Sequence, residues 1–281
     1  MQRLETIFGK WNARPLEQLT VQMFEEWKLE RFNKGRKPST ITRDLATISG
    51  VLSRAVKLEK LTLNVVRRVD VPRLDRSPKV RYLSPAESSR LRTALRARDA
   101  KMREERDSAN RWRKARRKPQ LPKLGEFADH LEPAILLSLN TGIRRGELLA
   151  LEWSAADLVN NMLTIEGSNA KSKQTRHVPL NTEALDVLRR WKKQSRDTRM
   201  FAFTGFKTAW SALLKQASIK GFRWHDMRHD FASRLASKGV PLNTIRELLG
   251  HQSLAMTVRY AHLQPDQKVE AVARLVEPQL N

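Results

Sequence analysis

The sequence predicts a mainly α protein with a small antiparallel β-sheet, arranged as two domains. Three observations support this prediction. Apolar residues recur at helical spacing through most of the chain, two short segments alternate as strands do, and a polar, proline-containing stretch separates two apolar regions. A chain of 281 residues suits two domains of ordinary size and is long enough to bury a sizeable core.

Residues 1–72 are predicted to form a helical domain. Thr20 has the side chain of an N-cap for a helix that carries Phe24 and Trp27, and Ser39 has the side chain to cap the next helix. That second helix has a well-defined apolar stripe for the core. Basic residues on its other faces and just before it are candidates for contact with phosphate: Arg36, Lys37 and Arg43.

A linker is predicted over residues 73–80, because prolines and charges of both signs break the helical period there. The second domain takes residues 81–281. Its first helix should begin at Pro85, since Ser84 supplies an N-cap and Glu87 completes a capping box.

A basic insertion follows at about residues 98–123. Between Arg96 and Lys123 there are 12 Lys and Arg residues against 4 Asp and Glu residues, with few large apolar side chains. This composition predicts an exposed helix or a disordered excursion. A contact with the DNA backbone and a solvated surface insertion are equally open interpretations.

The rest of the second domain is predicted to be helical around one hairpin. An apolar helix ends near Gly142 and another passes through Glu147. Residues 162–166 and 175–180 alternate as two strands around a polar, basic loop. Helical patterns return after Thr182, and valines at helical spacing predict a last helix over residues 266–277, which packs either on its own domain or on a neighbouring copy.

Charge and composition limit the function. The 54 Lys and Arg residues exceed the 30 Asp and Glu residues, giving a net charge of +24 that points to a polyanionic partner. The absence of cysteine excludes disulfides, thiol nucleophiles and cysteine-ligated metal centres. No export signal or membrane-spanning segment is visible, so the expectation is a cytoplasmic, nucleoid-associated protein that binds nucleic acid and not a membrane.

Four segments carry residues suited to chemistry: Thr141–Leu148, Lys171–Leu180, His225–Arg228 and Leu248–Tyr260. Each is weak alone. Arg144 has an ion-pair partner in Glu147 three residues later, and Tyr260 by itself would most often be a partly buried aromatic residue.

In this order and at these spacings, the four segments resemble the tyrosine recombinase (phage integrase) family. The resemblance covers nearly the whole chain and implies a core-binding domain at residues 1–72, followed by the family's catalytic domain. Lys171 is favoured over Lys173 because it stands five residues before the arginine that precedes Val178-Pro179-Leu180. The catalytic residues that the resemblance implies are Arg144, Lys171, His225, Arg228, His251 and Tyr260.

The resemblance implies a site-specific recombinase that cleaves and rejoins double-stranded DNA through a 3′-phosphotyrosyl intermediate and a four-way junction, as a tetramer on paired sites, without metal or ATP. The chemistry agrees: two arginines and a histidine can bind the phosphate oxygens while Tyr260 attacks. By resemblance His225 is the base and Lys171 the general acid. Lys173 and Arg223 are further candidate DNA contacts.

Two alternatives differ in class. The first is a DNA-binding architectural or regulatory protein that has the phosphate contacts but no turnover. The second is a zinc hydrolase, because His225 and His229 stand at i and i+4 with an acid after the first histidine. Asp226 is shorter than the glutamate of that motif, and the arginine between the histidines would repel the metal.

Overall fold

A computed structural model of the chain describes residues 2–72, 80–169, 174–202, 205–265 and 272. The predicted linker over 73–80 and the predicted last helix over 266–277 lie almost entirely outside these ranges. The chain divides into two compact units, Met1–Pro78 and Lys79–Asn281. No helix within the described ranges has the length and apolar character needed to cross a membrane.

The first unit contains the helices α1 (Gln2–Phe8), α2 (Val21–Asn33) and α3 (Pro38–Lys57). The predicted cap of α2 is confirmed, because the Thr20 side chain accepts the Met23 N–H at 3.3 Å. The expectation that Ser39 caps α3 is wrong. The helix begins two residues earlier than a Ser39 cap implies, because proline, whose φ is already helical, occupies its first turn, and Lys37 is the N-cap.

The core of this unit is aromatic at one end. Phe24 and Trp27 from α2 are buried, and the Phe8 and Trp27 rings lie 4.8 Å apart between centroids. At the other end, Asn64 ties the short 3₁₀ segment Val65–Arg68 to α3. Its amide donates to the Ser49 carbonyl at 2.8 Å, while its oxygen accepts the Val66 N–H at 3.1 Å.

The second unit is helical around one sheet, and the prediction of a mainly α fold with a small antiparallel sheet is confirmed. Its helices are α4 (Pro85–Ala115), α5 (Leu131–Thr141), α6 (Arg145–Ala150), α7 (Thr182–Gln194), α8 (Lys207–Gln216), α9 (Asp226–Ser237) and α10 (Leu242–Leu249). Its strands are β1 (Ala156–Asp157), β2 (Met162–Ile165) and β3 (Arg176–Pro179), paired antiparallel in the order β1-β2-β3 with Ile165 opposite Arg176.

Helix α5 is the centre of this unit. All eleven of its residues except Glu132 are buried, because it packs on α7 along one side and on α9 along another. Its first three turns are mostly apolar, and the side chains of Ser138 and Thr141 donate to carbonyls of the same helix at 2.7 and 2.6 Å, so that their hydroxyls are satisfied in the interior. A helix held this firmly fixes the position of the turn that follows Thr141.

Helix α4 begins at Pro85 with the predicted capping box: Ser84 Oγ accepts the Glu87 N–H, and the Glu87 carboxylate accepts the Ser84 N–H. The helix then continues for 31 residues, through most of the basic insertion. Residues 116–126 return along its second half. We call residues 103–126 the basic arm.

Side chains of α4 hold the returning segment of the basic arm. Asn110 and Leu121 exchange two hydrogen bonds, at 2.9 and 2.7 Å, and Arg106 donates to the Pro122 carbonyl at 2.6 Å. Several arginines of the insertion therefore have structural partners. At the tip, the cations of Arg116 and Lys118 lie 4.3 and 5.1 Å from the centre of the exposed Trp112 ring.

Candidate active site

The turn after α5 places Arg144 at the N-cap of α6. Gly142 ends α5 in the left-handed conformation, with φ of 62°, and a Cβ there would stand 2.5 Å from the Phe231 ring. Glycine therefore lets the turn approach α9 closely. Arg144 follows in an extended conformation, and its guanidinium donates to Glu147 at 2.7 Å and to the Gly250 carbonyl at 3.2 Å.

Glu147 is the buried anion of this site. Arg144 donates to it through both its backbone N–H, at 2.8 Å, and its side chain, and Arg176 donates to both carboxylate oxygens at 3.2 and 2.7 Å. Burial acts to raise the pKa of Glu147. The hydrogen bonds and charges of Arg176 and Arg144 outweigh burial and hold this pKa below its ordinary value. Glu147 is thus ionised and orients both arginines.

Arg228 lies on the first turns of α9 and is 3% exposed. It donates to the Gly142 carbonyl at 2.9 Å and to the Leu249 carbonyl at 2.5 Å. Burial and the positive charges of Arg144 and Arg176 lower its pKa to about 9, against the opposing charge of Glu147. The guanidinium is still protonated at neutral pH, in a region where positive charge is in excess.

His251 and Tyr260 come from the segment that follows α10. His251 is buried, and its Nδ1 lies 2.8 Å from the hydroxyl of Thr257. Burial and the charges of Arg228, Arg144 and Arg259 lower the pKa of His251 to about 3. The imidazole is therefore neutral at neutral pH.

Tyr260 stands in the 3₁₀ segment Val258–Leu263 and is 1% exposed. Its hydroxyl lies 2.7 Å from Nδ1 of His229. Burial raises the pKa of Tyr260, and the charges of Arg228 and Arg259 act in the opposite direction. The hydroxyl is protonated at neutral pH and close to two cations that favour its ionised form.

These side chains surround one cavity of about 510 Å³. Five of the six predicted catalytic residues line it: Arg144, His225, Arg228, His251 and Tyr260. The other lining residues are His229, Gln252, Met256 and Arg259. The sixth, Lys171, lies outside the described residues, as does Lys173. An arginine pair, neutral imidazoles and a tyrosyl hydroxyl around one cavity have the chemistry to bind a phosphate ester and to supply a nucleophile beside it.

The predicted DNA contacts are more dispersed. Arg36, Lys37 and Arg43 are exposed residues of the first unit, at the start and on the second turn of α3. Arg223 is also exposed, but its side chain and N–H donate to the Asp226 carboxylate, in the first turn of α9, at 2.7 to 3.2 Å. Arg223 therefore has a structural partner in addition to any contact with a ligand.

The sequence does not predict three residues of the site. In the sequence motif, Arg176 serves only to identify Lys171, which stands five residues earlier. In the structure it is buried against Glu147 and donates to the Leu248 carbonyl at 3.1 Å. The sequence motif presents His229 only as a candidate metal ligand, although its i+4 relation to His225 places both histidines on one helix face. Arg259 has no motif signal that singles it out.

The geometry disfavours the zinc hydrolase. The His225 and His229 rings meet edge to face with centroids 5.2 Å apart, and Nδ1 of His229 contacts Tyr260. Within the ranges that the structure describes, no three His, Asp or Glu side chains gather closely enough to hold a metal ion.

Comparison with known proteins decides the family. The protein-family model described as the phage integrase family matches residues 118–267, which are more than half of the chain. The chain belongs to the phage integrase family. This match includes the turn with Arg144, α9 and the segment with His251 and Tyr260, so it spans the residues that line the cavity.

Relatives within the phage integrase family differ in how much of their length is matched. The chain is 32% identical over 257 residues to the integrase of Salmonella phage P22, covering 83% of this chain and 57% of that protein. It is 24% identical over 252 residues to tyrosine recombinase XerC of Chlorobaculum parvum, covering 82% and 71%. A XerC-like recombinase of Caldanaerobacter subterraneus is matched at 27% identity over 52% of this chain and 49% of that protein. The chain thus spans about half of two of these relatives.

Solved structures share the fold at low sequence identity. The Tn1549 transposon integrase in complex with transposon right-end DNA superposes with a TM-score of 0.74 at 21% identity, covering 98% of this chain and 92% of that one. The XerH recombinase on its palindromic substrate, a post-cleavage complex, gives 0.67 at 17% identity, covering 96% and 76%. Lambda integrase, as a dimer bound to a core site, gives 0.62 at 19% identity, covering 91% and 90%.

Proposed function

We propose that this chain is a site-specific DNA recombinase that breaks and rejoins DNA strands through a 3′-phosphotyrosyl intermediate on Tyr260. One observation carries the proposal: Tyr260 lines the same cavity as Arg144, Arg228 and His251, and its hydroxyl contacts His229, which also lines it. Membership of the phage integrase family and relatives that are named recombinases support it.

Arg144 and Arg228 bind the two non-bridging oxygens of the scissile phosphate. Both guanidinium groups are held by protein acceptors before DNA arrives, Arg144 by Glu147 and Arg228 by two backbone carbonyls. Their orientation is therefore set in advance, which is how enzymes stabilise developing charge without reorganisation. Each charge-assisted hydrogen bond to the phosphorane contributes about 1.5 to 3 kcal/mol.

With the tautomer that carries its proton on Nε2, the neutral His251 ring adds a third hydrogen-bond donor, while its Nδ1 accepts from the Thr257 hydroxyl. The attack forms the bond between the tyrosyl oxygen and phosphorus and breaks the bond to the 5′ oxygen, which leaves as a hydroxyl. Lys171 is the proposed general acid for this oxygen, a role worth roughly 10² to 10⁴ in rate.

The exchange replaces one phosphate ester by another and is nearly energy-neutral, so the break can be resealed without ATP. Repeating it between two duplexes passes through a four-way junction. We therefore propose a homotetramer on paired double-stranded DNA sites. Integrases and recombinases bound to DNA among the similar structures support DNA as the partner.

The first unit is the proposed core-binding domain, residues 1–72, with 73–80 as linker and 81–281 as the catalytic domain. Arg36, Lys37 and Arg43 are its proposed phosphate contacts, and Arg223 and Lys173 are those of the catalytic domain. The net charge of +24 supports binding to the DNA backbone. We propose that the protein acts in the cytoplasm, at the nucleoid.

Covalent capture tests the proposal without knowledge of the target sequence. Wild type and Tyr260→Phe are incubated with duplexes that contain a randomised segment and a single nick, so that the short cleaved strand diffuses away and the adduct persists. Wild type should retain DNA through denaturation in detergent, and Tyr260→Phe should retain none. Equal retention by the two proteins, or none by either, contradicts the proposal.

A further inference from the structure

The two histidines on the first turns of α9 stand differently toward the nucleophile. His225 is the N-cap of α9 and is exposed, whereas His229 is half-buried and its Nδ1 lies 2.7 Å from the Tyr260 hydroxyl. The His229 and Tyr260 ring centroids are 5.9 Å apart. The contact of the tyrosyl oxygen is therefore with the second histidine of the pair.

We propose that His229, rather than His225, accepts the hydroxyl proton of Tyr260 when the tyrosyl oxygen attacks the scissile phosphate. The inference rests on the proposed function of Tyr260. It assigns a catalytic residue, because His229 touches the attacking atom itself, and it leaves the exposed His225 to face the DNA backbone.

The proton balance is simple in this arrangement. With the His229 tautomer that carries its own proton on Nε2, the tyrosyl hydroxyl donates to Nδ1. As the oxygen–phosphorus bond forms, that proton moves to Nδ1 and the ring becomes imidazolium, while the bond to the 5′ oxygen breaks and this oxygen takes a proton from the general acid. In the rejoining step the imidazolium returns its proton to the leaving phenolate oxygen.

The surroundings keep this imidazole ready to accept a proton. Burial, followed by the charges of His225, Arg259 and Arg228, lowers the pKa of His229 to about 4, and Asp226 acts in the opposite direction. The ring is therefore neutral at neutral pH. Arrival of an anionic phosphate in the cavity favours the imidazolium form, since a nearby negative charge raises the pKa of a cationic acid. The base thus gains strength when its substrate is bound.

A purely structural role for His229 predicts different kinetics. A histidine that only anchors a buried tyrosine is replaceable by another side chain that hydrogen-bonds to the hydroxyl. A base is not, and glutamine tests this difference because its amide can hydrogen-bond but cannot take the proton at neutral pH. Imidazole added to the buffer can accept the proton in place of a deleted histidine base, but it cannot restore the hydrogen bond of a histidine that only holds the tyrosine in position.

The experiment measures single-turnover cleavage on a nicked duplex recovered by the covalent capture, with either oxygen or sulfur at the 5′ leaving position. We expect His229→Gln to lower the rate about 10² to 10⁴-fold on both substrates, because the sulfur leaving group bypasses the general acid but not the base. Added imidazole should restore part of the rate of His229→Ala and none of that of His225→Ala. His130→Gln, at the far end of α5, is the matched control and should cleave as wild type.

Three results overturn the inference: a His229→Gln rate within threefold of wild type, a defect that disappears on the sulfur substrate, or rescue by imidazole at His225→Ala instead. A wild type that forms no adduct defeats the proposed function itself. An adduct with an unaffected His229→Gln defeats only this inference.

A measurement on the unmodified protein covers the case in which a His229 variant does not fold. In ¹⁵N-histidine-labelled wild type, the His229 ring should carry its proton on Nε2, and its Nδ1 should show the shift of a nitrogen that accepts a hydrogen bond. The chain has two tyrosines, Tyr82 and Tyr260, so the ¹³Cζ signals of labelled tyrosine are easily assigned with Tyr82→Phe. A proton on Nδ1 of His229 contradicts the proposal.

Discussion

Replacing Glu147 by glutamine should destabilise the second unit strongly while changing little of its volume. Glu147 is 2% exposed and accepts four hydrogen bonds, two from Arg144 and two from Arg176. The amide that replaces one carboxylate oxygen points donors at guanidinium groups and leaves their positive charge without its counterion. Removing one partner of a buried ion pair costs about 3 to 5 kcal/mol.

Urea unfolding followed by circular dichroism measures this loss, and the melting temperature should fall by about 6 to 20 °C. Glu105→Gln is the matched control, because Glu105 is exposed on the basic arm with a long 3.8 Å ion pair, and it should change stability by less than about 0.5 kcal/mol. Since the pKa of Glu147 is lowered in the folded chain, its contribution is complete above the ordinary value of 4.5 and declines below it. A Glu147→Gln loss within about 1 kcal/mol of the control at pH 7 refutes this reasoning.

Three further predictions concern other parts of the chain. The pKa of His251 is about 3 in the folded chain, so between pH 6.5 and pH 3 only the unfolded chain binds a proton at this residue, and the free energy of unfolding falls on acidification. His251→Asn should reduce this dependence of stability on pH by up to about 1.4 kcal/mol per pH unit, measured by urea unfolding. An unchanged dependence contradicts the prediction. If the basic arm contacts DNA, the double variant Arg117→Glu, Lys118→Glu should bind DNA with a shallower slope of log K against log salt concentration, measured by fluorescence anisotropy. The slope should decrease by about 0.9 for each phosphate that the arm no longer neutralises. An unchanged slope favours the solvated insertion. Asn64→Ala should cost about 1 to 3 kcal/mol because it leaves the Val66 N–H without its acceptor; a loss below about 0.5 kcal/mol in thermal unfolding speaks against that anchor.

Local signals in the sequence predicted the parts of the fold that local physics determines. Thr20 and the Ser84–Glu87 capping box predicted two helix starts, because a cap is a contact between residues three apart. The strand β1 has two residues and is too short to show alternation. The full length of α4 was equally hidden, since contacts such as Asn110 with Leu121 stabilise its polar half in place of an apolar stripe.

The candidate site follows the same division. The pairing of Arg144 with Glu147 is visible as an i, i+3 relation on one helix. The partners of Arg176 and His229 are 29 and 31 residues away along the chain, so only the folded structure brings them together. Motif spacing thus predicted which residues gather around the cavity, and the tertiary structure determined which of them touch.

The most direct measurement identifies the bond between protein and DNA. Captured adduct is digested with nuclease and trypsin, and the peptide that carries a residual nucleotide is sequenced by mass spectrometry. The nucleotide should be attached through its 3′ phosphate to the ring oxygen of Tyr260, and the released strand should carry a 5′ hydroxyl that a kinase labels without prior phosphatase treatment. Attachment to Tyr82 or to any other side chain, or a 5′ phosphate on the released strand, contradicts the assignment of Tyr260 as the nucleophile.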